Sequence, residues 1–219
     1  MSLHHNPRMV TDGLILAVDA ADINSNPHTG TTWYDLSGNG HNFSLPSNSN
    51  TGNIIQFSNN QSGYRTLSDT NRHEITFDTW FYAGSGGTYT GCCDTLFGTY
   101  WCRTFIIGQG LYTMIGFADI NGNYTQYQHP SYTISYDSWH HAVGMRRAGR
   151  YIIWIDGVER YNTTFGAGEY LHSISSNWIF AENSRHSNLK IGSARVWNRG
   201  LSDDEITAVF NSQRTRFGL

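Results

Sequence analysis

Charge is what this sequence has least of. Only 14% of its 219 residues are Asp, Glu, Lys or Arg, against roughly a quarter in an average soluble domain. The 14 basic and 17 acidic side chains nearly cancel, leaving a formal net charge of −3. That balance leaves no basic footprint for nucleic acid or for an anionic membrane surface, so neither is expected as a partner. No run approaches the ~20 apolar residues of a membrane-spanning helix, so no membrane insertion is expected. The opening MSLHHNPRMV lacks the apolar stretch of a secretory leader. Its absence favours a protein that stays where it is made, or one that leaves in a particle released by lysis. Cysteine is scarce, and its count of 3 is odd, which argues against a disulfide framework. Cys92 and Cys93 are adjacent; Cys93 and Cys102 flank a plausible hairpin and could pair, with reduced side chains the simpler reading.

Aromatic residues, at 14%, are as common as charged ones, and 38% of the chain is hydrophobic. A core is therefore affordable, while the surface must be Asn, Ser, Thr, Gly and Tyr. The length suits one large all-β domain spanning 1–219, with residues 1–8 an arm or irregular lead. Short apolar segments recur every 8 to 12 residues with turn formers between them. That spacing predicts an all-β, two-sheet antiparallel sandwich or jelly roll. No repeat of 20–50 residues is present, which sets aside propellers and solenoids.

The organising stretch is WHHAVGMRRAGRYIIWIDGVERY, Trp139 to Tyr161. His140–Met145 reads as a strand and Arg146–Arg150 as a polar break. Tyr151–Ile155 is a β-branched and aromatic run, ended by Asp156-Gly157, a strong signal for a two-residue type I′ hairpin. Alternation sends Tyr151, Ile153 and Ile155 one way and Ile152 and Trp154 the other. Both sets are apolar, so the hairpin should be covered on both faces, near the centre of a sandwich. Earlier in the chain, Leu14, Leu16 and Val18 alternate with Ile15 and Ala17. In EITFDTWFYA, Ile75, Phe77, Thr79 and Phe81 alternate with Trp80 and Tyr82. Gly84–Gly91 is the most glycine-rich stretch and should be an exposed loop. Near the end, Ser202-Asp203-Asp204-Glu205 is a capping box with an acidic first turn. Ile206, Val209 and Phe210 follow at helical spacing, predicting a short helix over about 203–211 that docks on the sandwich.

These words carry a resemblance. The Trp-His-His pair followed by a strand ending in I-D-G-V, and the closing LKIGSARVWNRGLSDDEITAVFNSQRTRFGL, resemble the laminin-G-like jelly rolls of the concanavalin A-like lectin/glucanase superfamily. EITFDTWFYA and NIIQFS extend the likeness over most of the chain. The opening MVTDGLILAVDAAD…TTWYDLSGNG and the ending RTRFGL are similar to virion structural proteins of tailed bacteriophages. The resemblance implies a non-enzymatic capsid-decoration, tail or fibre protein located in the virion. It would contact other virion proteins or further copies of itself, and a host-surface glycan. A free-standing carbohydrate-binding module is the alternative, and a glycoside hydrolase a weaker one.

The residues argue against chemistry. Glucanases of this superfamily carry E-x-D-x-E on one strand; here Glu74 and Asp78 share a strand face, but Thr76 stands between them. At strand rise they lie about 13 Å apart, beyond the separation of a retaining or inverting pair. His140 and His141 are adjacent, so on a strand they point to opposite faces and cannot share a metal; one ring should pack under the sheet and the other should be exposed. His4-His5 lacks a further ligand. No G-x-S-x-G elbow is present, and Ser, His and Asp are too scattered for spacing to assemble a triad. No cofactor is required. Family members that hold Ca²⁺ do so through a carboxylate and carbonyls, which points to Asp35 in YDLSGNG as the calcium candidate. Its simpler role is to cap that turn through backbone amides. For a sugar, the aromatic-bearing run Tyr89–Trp101 supplies Tyr89, Tyr100 and Trp101, joined by Tyr124 and Tyr127 near the Asn121-Gly122 turn.

Overall fold

In the computed structural model the described residues are 9–57, 63–66, 74–85, 93–99, 102–107, 112–118, 124–164, 177–180 and 189–219. The chain runs through β1 (Leu14–Asp19), β2 (Thr32–Trp33), β3 (Phe43–Ser44), β4 (Ile55–Phe57), β5 (Gly63–Thr66) and β6 (Ile75–Ala83). It continues through β7 (Cys93–Thr99), β8 (Cys102–Ile107), β9 (Tyr112–Ala118), β10 (Tyr124–Thr133), β11 (Trp139–Arg147) and β12 (Arg150–Ile155). It closes with β13 (Val158–Thr164), β14 (Asn177–Phe180), β15 (Leu189–Trp197), the helix α1 (Asp203–Gln213) and a 3-10 turn at Arg214–Phe217. One sheet has the order β1-β15-β6-β11-β12-β13, with β4 also on β15; the other runs β10-β9-β8-β7-β14-β5-β3-β2. Every pairing among the described residues is antiparallel. The fold is the expected all-β jelly roll with one short C-terminal helix.

The hairpin at Trp139–Tyr161 behaves as its pattern requires. Asp156 and Gly157 have φ of 52° and 76°, both positive as a type I′ turn demands, and Ala148-Gly149 repeats the geometry at 48° and 74°. Tyr151, Ile153 and Ile155 enter the core between the sheets, with Phe77, Phe81, Trp33 and Phe43. Ile152 and Trp154 lie on the other side of the sheet, with Val143, Met145, Trp197, Leu201, Ile206 and Val209.

In β1 the alternation fails. Leu16 and Val18 join the inner core, but Leu14 packs in the outer cluster and Ile15 against the inner one. A register shift between Leu14 and Leu16 against β15 is the cause: a bulge adds one residue and flips the side chain before it.

The outer cluster exists because the C-terminus folds back over the sheet. Ser202 caps α1 by accepting from Glu205 N, while the Glu205 side chain accepts from Ser202 N at 2.8 Å. Arg199 grips Glu205 through both oxygens, at 2.8 and 2.6 Å. That grip, more than the cap, holds the Glu205 carboxyl down at about 2. Thr76 Oγ1 donates to Arg199 O and accepts from Leu201 N, fastening the linker to β6. Beyond the helix, Gln213 and Arg216 bond the Asp19 carboxylate. Phe217 settles over Gly192, where a Cβ would lie 2.4 Å from the ring. The helix is longer than the expected 203–211, and the 3-10 turn continues its docking.

Cys93 and Cys102 do not meet. Cys102 is opposite Thr99 and Cys93 opposite Ile107 on the β7–β8 pair. About six residues of strand, roughly 20 Å, separate the two positions, and a disulfide needs Cα atoms within about 7 Å. His4-His5, Cys92 and most of Gly84–Gly91 fall outside the described residues; Gly84 itself is buried, not part of an exposed loop.

Candidate functional site

The outer face of β6 carries Thr76, Asp78, Trp80 and Tyr82 in alternation, with Glu74 just before the strand. Asp78 is fully buried and bonds His141 Nε2, while Arg195 Nη1 stands 3.6 Å from its other oxygen. Burial alone would push the Asp78 carboxyl up; His141 and Arg195 outweigh it and hold the group below the usual aspartate range. Trp80 tilts against His141 at 4.7 Å and stacks on Phe217 at 4.4 Å and Phe210 at 5.7 Å. Glu74 accepts from Ala148 N and Gly200 N. Both carboxylates expected on one strand face are there, but each is fastened to the protein, and Asp78 lies beneath the C-terminal segment.

His140, on β11 beside His141, points inward. Both rings are buried, His140 at 6% exposure and His141 at 0%, which corrects the expectation of one exposed ring. The second is covered because α1 and the 3-10 turn roof the face that alternation assigns to solvent. His140 Nδ1 is 2.8 Å from Asp156 Oδ2, and Asp156 Oδ1 accepts from His141 N at 2.8 Å. His140 Nε2 is 3.0 Å from Ser138 Oγ and 3.1 Å from both Ser135 Oγ and Ser135 O. His140 thus links the Asp156 carboxylate on one side to the Ser135 and Ser138 oxygens on the other. This is a Ser-His-Asp chain that spacing did not reveal. A signal was present: a D-G hairpin brings the Asp at its corner back beside the strand that carries W-H-H. The two hydroxyls also bond each other at 2.6 Å, so the cluster ties 135–138 to the hairpin end.

Asp35 is a turn organiser. Its Oδ1 accepts from Ala17 N and Ser37 N at 2.9 and 2.8 Å. Its Oδ2 accepts from Ser37 Oγ and His41 N at 2.7 and 3.0 Å. Both oxygens are thus enclosed by N–H and O–H donors, an environment that does not fit a cation. Among the described residues, no group of three or more His, Cys, Asp or Glu is placed to hold a metal.

At the Asp137 end of the sheet, the outer face shows a different row. Trp139, Tyr82 and Lys190 are register partners across β11, β6 and β15. Trp139 meets Tyr82 edge-on at 5.9 Å, and Lys190 Nζ sits 4.4 Å above the Tyr82 ring. Asp137 Oδ1 accepts from Tyr82 OH at 3.2 Å and Ser85 N at 2.9 Å. The two Ser85 contacts, with Tyr82 and Lys190 after them, hold its carboxyl below the usual range against a modest opposing desolvation.

Of the residues expected to hold a sugar, Tyr89, Tyr100 and Trp101 lie outside the described residues. Tyr124 and Tyr127 are backbone positions on β10, opposite Ala118 and Ile115 of β9. No helix among the described residues is long and apolar enough to cross a membrane.

Similarity to known proteins agrees with this architecture. No curated protein is detectably similar in sequence. Among solved structures, the ligand-binding domain of botulinum neurotoxin serotype D in complex with N-acetylneuraminic acid superposes with a TM-score of 0.74 at 16% identity. That superposition covers 95% of this chain and 53% of the other. The binding domain of Paraclostridial Mosquitocidal Protein 1 gives a TM-score of 0.71 at 15% identity, over 92% of this chain and 52% of that one. The chain thus spans about half the length of these domains, and at such identity the likeness is one of fold. The concanavalin A-like lectin/glucanase profile of the laminin-G type matches residues 48–207. That span takes in the W-H-H hairpin, β15 and the capping box, and on it the chain belongs to the concanavalin A-like lectin/glucanase superfamily.

Proposed function

We propose that this chain is a non-enzymatic, lectin-like domain that binds cell-surface glycans. We place it on the virion of a tailed phage, where it docks on other particle proteins or on further copies of itself. The observation that carries the binding role is the commitment of the β6 carboxylates. Asp78 is buried against His141 and Arg195 beneath the C-terminal segment, and Glu74 accepts from two backbone amides. The superfamily holds enzymes, lectins and pure scaffolds, and carboxylates committed to structure favour a role without sugar cleavage. A fold neighbour captured with N-acetylneuraminic acid supports a glycan as the ligand class. The scarcity of charge suits contact through aromatic faces and hydrogen bonds. The virion location is supported by the likeness of the opening and closing segments to phage structural proteins.

The test is a glycan array with the purified chain, alongside a fluorophosphonate probe for a reactive serine. The expected outcome is saturable binding to a subset of glycans with no labelling of Ser138 or Ser135. Labelling that vanishes in His140→Ala would replace the binding role with an acyl-transfer activity. Mass spectrometry of purified particles should find the chain among the virion proteins, and its absence there would end the placement.

A further inference from the structure

The row Trp139–Tyr82–Lys190, with Asp137 at its rim, is built unlike the rest of the outer face. Over Trp80 and His141 the C-terminal segment covers the sheet; Trp139, Tyr82 and Lys190 remain half-buried and Asp137 is exposed. Phe217 stops against Trp139 at 4.6 Å and forms a wall on one side. Cross-strand spacing puts Trp139 and Lys190 about 10 Å apart, two strands of ~4.8 Å.

The polar groups here have capacity left. Asp137 Oδ1 accepts from Tyr82 OH and Ser85 N, and the Ser85 side chain adds a further bond to the carboxylate; the residue is exposed, so its remaining lone pairs face solvent. Among the described residues Lys190 forms no close ion pair, though its charge bears on Asp137; its ammonium rests on the Tyr82 ring, leaving its N–H groups to donate elsewhere. Asp137 is also held at φ 56°, a left-handed conformation that costs a non-glycine residue free energy and collects at functional positions. That twist brings its carboxylate to Tyr82 and Ser85. The result is an aromatic surface flanked by one anionic acceptor and one cationic donor of opposite sign, so the patch as a whole is neutral.

We propose that this row is a binding site for a neutral pyranose, a hexose or N-acetylhexosamine unit of a longer glycan. The apolar C–H face of the sugar rests on Trp139. Adjacent hydroxyls donate to the Asp137 carboxylate, and another accepts from Lys190. Such a ligand uses an acceptor and a donor at once, whereas an acidic sugar would add a second negative charge beside Asp137. The site rests on the glycan-binding reading above and gives it a place and a ligand class.

The test uses the full chain on an array that carries neutral hexose and N-acetylhexosamine oligosaccharides beside sialylated ones. Asp137 bonds Tyr82 and Ser85, Lys190 rests on Tyr82 and Trp139 packs on Phe217, so the folding of each Ala variant is checked by its thermal midpoint. The expected result is binding to neutral glycans that falls at least about tenfold in Asp137→Ala and in Lys190→Ala. Neutral-glycan binding undiminished in both variants overturns this site while leaving the lectin role intact. Binding confined to sialylated glycans overturns the neutral ligand class. No binding on the array overturns the lectin role and the site together.

Discussion

The sheet that contains the central hairpin has two cores, one on each face, and they are held by different physics. The inner core, between the sheets, is apolar: Leu16, Phe77, Phe81, Ile153, Ile191 and Val196 pack with Trp33 and Phe43. Many interchangeable contacts share the load there, and loss of one methylene costs about 1 kcal/mol. The outer core joins an apolar patch around Trp197, Leu201 and Ile206 to a buried ionic cluster, Asp78 with His141 and Arg195. An aromatic stack, Trp80 with Phe210 and Phe217, closes it. Non-directional packing tolerates substitution; a buried charge does not, because its partners are left desolvated and unpaired. The outer core should therefore be the more brittle of the two.

The largest effect is expected at Asp78. Asp78→Ala strands Arg195 and His141 and should cost about 3–5 kcal/mol, a fall in thermal midpoint of roughly 10 °C for a chain of this size. Phe77→Leu, its inner-core neighbour, should cost about 1–2 kcal/mol. Equal losses at the two positions would show that charge adds no brittleness. Acid offers a second measure. Asp78 and Glu205 both titrate below their ordinary values in the folded state. Their contribution is therefore complete above the unfolded pKa and is lost as pH falls through the folded one. For Glu205 the window runs from about 4.5 down to about 2. Denaturant melts over that range should show the wild type losing stability faster than Asp78→Ala, which has less to lose.

A smaller and more local contrast lies in the two turns that bracket β12. Gly149 and Gly157 share the same backbone, φ 74° and 76°, but a Cβ at Gly149 meets nothing, whereas one at Gly157 lies 2.7 Å from Phe210 Cδ1. Gly149→Val therefore carries only the left-handed strain, about 1–3 kcal/mol. Gly157→Val adds a displaced aromatic ring of the outer core, about 1–3 kcal/mol more. Thermal melts of the pair separate turn strain from helix docking; identical midpoints would mean that α1 does not bear on the hairpin.

The same division marks how far the sequence could be read. The inner core was legible, because period-2 alternation in 74–83 and 151–155 states which side chains share a face. The capping box was legible as well, since its signal spans only Ser202 to Glu205. The outer core was only partly so: the docked helix could be expected, but not that Phe217 and the 3-10 turn would extend it over His141. Nothing local says that the face bearing Trp80 will receive a segment more than 120 residues later. The bulge that moved Leu14 is likewise set by its partner strand and not by its own residues. The sugar-facing residues expected near Tyr89–Trp101 came from composition, whereas Trp139, Tyr82, Lys190 and Asp137 meet only through sheet register and a positive-φ corner.

The smallest expected effect is on calcium, at the edge of the inner core. A glycine-bearing loop with one aspartate looked fit for a cation because its carbonyls could turn inward. The folded loop instead turns its donors inward: Ala17 N, Ser37 N and His41 N, with Ser37 Oγ, satisfy both Asp35 oxygens. A calcium ion at Asp35 would have to displace those amides and leave part-buried N–H groups unpaired, at up to roughly 1–3 kcal/mol each. Ligand linkage raises a melting midpoint only when the folded state binds more tightly than the unfolded one. Millimolar calcium should therefore leave the midpoint where chelator leaves it. Asp35→Asn, which keeps one carbonyl acceptor and adds a misplaced donor, should lower the midpoint equally in both buffers. A calcium-dependent rise that disappears in Asp35→Asn would show that the donor cage opens for a cation, and that the turn answers to metal as well as to its own backbone.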